Sequence, residues 1–178
     1  MMRRYTQTYH PQDRQAGFTL IELLLYITIV SVLLLGVTSF FGTVMDARVK
    51  NKTIAEVNQQ GTAAMDYVLQ TVRTATSITT PAAAGSGASL TLVVPTAALS
   101  PTIINLTGTT LQVKEGAATA VPLTSSDVQI TSLTFKNLTR SGTNGLVQVS
   151  MTLDYNSTAV DDEYDYQQTF TGSAEVRW

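Results

Sequence analysis

The chain contains no cysteine. That excludes a disulfide framework, a thiolate nucleophile, a thiolate metal site and a lipid anchored on a cysteine. Histidine is nearly as scarce: the single copy, His10, stands close to the N-terminus, and the body of the chain has no imidazole base. Serines are plentiful, yet no Gly-x-Ser-x-Gly elbow accompanies them, and neither a phosphate-cradling glycine loop nor a dinucleotide fingerprint occurs. An enzyme is not expected, and no cofactor is. Charged residues make up only 13% of the chain and sum to −2, so the basic footprint that a nucleic-acid partner requires is missing. Proline is limited to five copies, and none falls between Phe18 and Phe41.

That proline-free stretch is the most informative one present. Gly17-Phe18-Thr19-Leu20-Ile21-Glu22 opens an almost unbroken apolar run to Phe41, in which Glu22 is the one side chain charged at neutral pH. A helix of about 24 residues at ~1.5 Å per residue is ~36 Å long, enough to cross a ~30 Å hydrocarbon layer with some tilt. A carboxylate in such a run costs roughly 2.5–3.5 kcal/mol at mid-membrane and less near the interface. Glu22 therefore either reaches back to the headgroups or finds a partner. Residues 1–17 are polar and carry Arg3, Arg4 and Arg14 against one acid, Asp13. A secretory signal has its small residue after a shorter apolar core; here the glycine comes first. Arg48, Lys50 and Lys52 follow the run closely, so flanking charge sets the orientation only weakly.

Glycine, aromatic, Thr-Leu, acid and apolar tract in this register resemble the class III signal of type IV prepilins and type II secretion pseudopilins. The resemblance implies that a membrane-embedded prepilin peptidase cuts between Gly17 and Phe18 and methylates the Phe18 amine. It implies a single-pass protein in the inner (cytoplasmic) membrane with its C-terminal domain outside, later part of a filament or the cell surface. Its partners are then other pilin or pseudopilin subunits. Glu22 would pair with the Phe18 ammonium of a neighbouring subunit and set the axial register between copies. The proline that kinks this helix in many major pilins is absent here, which leaves Gly36 and Gly42 as its weak points.

Beyond Phe41 the pattern becomes one-sided. Ile54, Val57, Gly61, Ala64, Val68, Val72 and Ala75 recur three or four residues apart, opposite Lys52, Glu56, Gln59, Gln60, Asp66, Gln70 and Arg73. The spacing predicts one nearly continuous helix from Phe18 to about Thr76, apolar all round first and amphipathic afterwards. Pro81–Ser89 reads as a loop. Strands are expected at Ser89–Val94, Thr102–Leu106 and Thr110–Lys114, and at Val128–Leu138 with a phase change between Ile130 and Leu133 that marks a bulge. Ser141–Gly145 turns the chain back. Leu146–Tyr155 alternates, as does Tyr164–Trp178, with Tyr164, Tyr166, Phe170, Ala174, Val176 and Trp178 on one face. The fold class is α+β: a long N-terminal helix packed on a C-terminal antiparallel sheet. The segments are a leader at 1–17, a transmembrane or filament-core helix at 18–41, its amphipathic continuation at 42–79 and a β-rich domain at 80–178. This is the pilin layout, with larger minor pseudopilins of the J or W type as the nearest match in arrangement.

Two lesser features remain. Asp161, Asp162, Glu163 and Asp165 offer oxygen ligands for Ca²⁺, with a solvated hairpin loop as the alternative. Tyr26, inside the apolar run, reads as a helix-packing residue. The function expected is a structural subunit, a minor pilin or pseudopilin, of a type IV pilus-like, type II secretion or competence filament. A binding module at a filament tip and an unprocessed signal-anchored protein are the alternatives.

Overall fold

One helix, α1 (Leu20–Thr74), carries both patterns read from the sequence. The structure, a computed structural model, describes residues 17–157 and 165–177. The chain divides at Val44/Met45 into two compact units. In the first, the apolar part of α1 is exposed: Leu20, Ile21, Leu33, Leu35 and Phe40 all face outward, and no residue of its most apolar window is buried. Several of its hydroxyl side chains bond to the helix backbone one turn earlier. Thr28 donates to the Leu24 carbonyl at 3.0 Å, Ser31 to Ile27 at 2.7 Å and Thr38 to Leu34 at 2.7 Å. Such back-bonding by one turn removes the cost of a free hydroxyl in hydrocarbon.

The second unit begins inside the same helix. From Thr53 onward one stripe is buried: Thr53, Val57, Gly61, Ala64, Met65, Val68 and Val72. The spacing of three and four is the amphipathic period expected, with local differences at Thr53, Ile54 and Met65. Ile54 is only half-buried while its neighbour Thr53 is buried. Thr53 tolerates that position because its hydroxyl donates to the Val49 carbonyl at 3.1 Å.

Among the described residues the remaining chain forms nine strands: β1 (Ser77–Thr80), β2 (Ser86–Gly87), β3 (Leu90–Val93), β4 (Thr102–Thr107), β5 (Thr110–Glu115), β6 (Val121–Pro122), β7 (Val128–Asn137), β8 (Leu146–Tyr155) and β9 (Gln167–Glu175). The expected meander is shared between two antiparallel sheets, ordered β1-β3-β4-β5-β6 and β2-β7-β8-β9. β4 and β5 turn on Gly108 and Thr109, with Gly108 at φ 62°. The Thr109 carbonyl at that turn accepts the Ile130 amide of β7 at 2.8 Å, which ties one sheet to the other. The bulge expected in β7 is present. Ile130 pairs with Leu153 and Ser132 with Thr152, leaving Thr131 as the extra residue. The inward set accordingly shifts from Val128 and Ile130 to Leu133, Phe135 and Asn137.

The buried stripe of α1 forms one apolar cluster with both sheets: Leu90, Leu92, Ile104 and Leu111 on one, and Phe135, Val147, Val149, Met151 and Leu153 on the other. The outcome is α+β in the pilin-like arrangement, a long N-terminal helix packed on antiparallel sheets. The segment read as a loop at Pro81–Ser89 holds the two residues of β2. It is fastened by Asn137, whose Nδ2 donates to the Pro81 carbonyl at 2.8 Å and whose amide donates to Gly85 at 2.9 Å.

Candidate functional site

The residues singled out by the sequence gather at the start of α1. Gly17, Phe18 and Thr19 precede the helix in non-helical backbone, and Gly17 and Phe18 are exposed. The bond between them is therefore outside the helical hydrogen-bond ladder. A Cβ added at Gly17 would meet nothing within 4 Å. The fold itself makes no demand for glycine there.

Thr19 stops the helix from fraying toward that bond. Its carbonyl accepts the amides of Glu22 and Leu23, both at 3.1 Å, and its Oγ1 accepts the Glu22 amide at 3.3 Å. This is an N-cap with an acid at the third helical position, where the helix dipole favours negative charge. The sequence signal for it was the Thr-x-x-Glu spacing, legible beforehand and not read as a cap.

Glu22 is half-buried by its own chain. Its carboxylate Oε1 accepts the Tyr26 hydroxyl at 3.2 Å. The Tyr26 ring in turn meets the Phe18 ring edge-on, centroids 6.2 Å apart and planes at 78°. Glu22 and Tyr26 lie four residues apart on one stripe of α1, and helical side chains lean toward the N-terminus, which lets Tyr26 reach Glu22 and the Phe18 ring that precedes the helix. Tyr26 is thus more than the packing residue expected of it: it supplies a polar contact to the one acid in the run.

The other candidates stay apart from this group. Of the acidic residues considered for Ca²⁺, Asp161, Asp162 and Glu163 lie outside the described residues, and Asp165 is exposed. So do Tyr164 and Trp178 of the last alternating segment. Among the described residues no group of three or more His, Asp or Glu is placed to hold a metal. One perturbed group sits in the second unit. Tyr67 of α1 donates to Glu115 Oε1 of β5 at 3.2 Å. Burial pushes its hydroxyl above the ordinary tyrosine value, the Glu115 charge and hydrogen bond add to that, and a bond from Thr71 opposes it.

The start of α1 is thus a capped helix end with an exposed Gly-Phe bond before it and an acid one turn in. A family model for the prokaryotic N-terminal methylation motif matches residues 12–38. The chain carries that motif, which is typical of type IV pilins and pseudopilins and is the cleavage signal of prepilin peptidase. The match ends within α1 and covers none of the β-rich part. Neither a curated protein nor a solved structure matches the chain.

Proposed function

We propose that this chain is a structural subunit of a type IV pilus-like, type II secretion or competence filament, in the minor pilin or pseudopilin role. The observation that carries the reading is the methylation motif at the head of an apolar helix long enough to cross a membrane, with no residue of its most apolar window buried among the described residues. Residues 1–17 are a leader, 18–41 the segment held first by lipid and then by other subunits, 42–79 its continuation and 80–178 the extracytoplasmic domain. The peptidase cuts after Gly17 and methylates Phe18, since a small residue in unwound backbone is easily drawn into a protease cleft.

Assembly exchanges lipid for neighbouring helices around an equally apolar stem, so apolar contact alone barely discriminates one register from another. The Glu22 carboxylate and the Phe18 ammonium of another copy supply the discrimination. Removing one partner of a buried ion pair costs roughly 3–5 kcal/mol. The test is the mass of the native N-terminal peptide together with Glu22→Val. A methylated Phe18 start, with Glu22→Val cut normally but absent from filaments, is the expected result. An intact leader, or wild-type incorporation of Glu22→Val, refutes the reading.

A further inference from the structure

The stem holds one acid and, one turn later, one phenol, and the two are joined. Glu22 Oε1 accepts the Tyr26 hydroxyl at 3.2 Å, and the Phe18 ring closes on the same tyrosine at 6.2 Å. Among the described residues Glu22 Oε2 has no hydrogen-bond partner. The neighbouring positions on this face, Leu23, Leu25 and Ile29, are exposed apolar side chains that can donate nothing to a carboxylate. A free glutamate on a helix surface samples several rotamers, and that freedom is lost when a partner binds it. Here the loss occurs beforehand. The tyrosine is held from both sides, by the carboxylate and by the Phe18 ring, and a tyrosine has few torsions of its own to order.

We propose that Tyr26 is a positioning residue for Glu22. Its hydroxyl fixes the carboxylate along the stem in the unassembled chain, occupying one oxygen and leaving the other directed to an amine from a second copy. The proposal rests on the filament reading for the identity of that amine; the intramolecular contact does not depend on it. A carboxylate offers about four acceptor sites, so the hydroxyl and an ammonium can be held together. The hydroxyl therefore remains after assembly as a second donor.

The experiment uses the full chain with Tyr26→Phe, which keeps the ring and its contact with Phe18 and removes only the donor. Isotope-edited infrared spectra of the chain in lipid nanodiscs, carrying ¹³C-carboxyl glutamate, isolate the Glu22 band by difference against Glu22→Gln. The expected result is a shifted Glu22 carboxylate band in Tyr26→Phe. In cells co-expressing tagged wild-type chain, the variant should be cut and methylated at the wild-type level. It should then enter filaments about tenfold less well, the equivalent of one charge-assisted hydrogen bond. An unmoved band overturns the contact, and a moved band with undiminished incorporation overturns the positioning role. A wild-type chain that keeps its leader would refute the filament reading alone, because the band shift decides the Tyr26 contact in either form.

Discussion

Gly61 lies in the middle of the buried stripe of α1, where a glycine is a poor helix former. Replacing it by alanine removes a helix penalty of about 1 kcal/mol. The tertiary contact opposes that gain. A Cβ at Gly61 would stand 2.2, 2.4 and 2.7 Å from Cε2, Cζ and Cδ2 of Phe170. The ring must retreat by more than an ångström, and Phe170 is half-buried on β9, so it retreats toward solvent. Strain and lost burial of this kind cost roughly 1–3 kcal/mol, and three contacts on one rigid ring favour the upper half of that range. The net expectation is a destabilisation of about 1–2 kcal/mol for Gly61→Ala. Urea titration of the detergent-solubilised chain, followed by near-ultraviolet circular dichroism of its tyrosines, measures it. The same substitution in a Phe170→Ala background should instead stabilise by up to about 1 kcal/mol, because the ring that opposes it is gone. Equal effects in the two backgrounds would refute the steric argument.

Two further outcomes follow from the β-rich part. Asn137 is buried, donates to the Pro81 carbonyl and accepts the Thr139 amide at 3.0 Å. Asn137→Ala should cost about 1–3 kcal/mol by leaving those groups unpaired, with hydrogen exchange rising first at Gly85 and Thr139; unchanged protection there would contradict the role. Tyr67 has a raised folded value. The unfolded chain therefore gives up this proton first as pH rises past about 10. Stability is fully present below that pH and is lost as pH climbs toward the folded value. Tyr67→Phe should remove this part of the alkaline loss, as read from melting temperatures at pH 9 to 11; identical alkaline slopes for the two chains would exclude it.

Wherever the determining signal was local, the residues alone carried it. The extent of α1, its change from apolar to one-sided, the long strands β7 and β8 and the bulge at Thr131 all follow from the periodicity of neighbouring side chains. The methylation motif was legible for the same reason: it is a contiguous string that a peptidase must read before any fold matters. Short strands were not. β2 and β6 span two residues each, too few to show a period, and exist because β7 and β5 present a free edge to them. The division of one expected meander into two sheets likewise arises from pairing between distant segments.

Burial at single positions also depended on what came to lie opposite. The helical spacing could have placed either Thr53 or Ile54 inward, and Gly61 gave no hint of the ring it accommodates until β9 delivered Phe170. Asn137 ended a strand on the inward phase as a polar residue, and only the Pro81 carbonyl, far away in the chain, makes that position tolerable. The amino-acid order thus determined the apolar stem, its methylation motif and the alternation of the strands, since each depends on spacing along the backbone. Sheet partition, the fastening of the loop by Asn137 and the seat of Phe170 were decided by tertiary structure, since each needs two remote segments to meet.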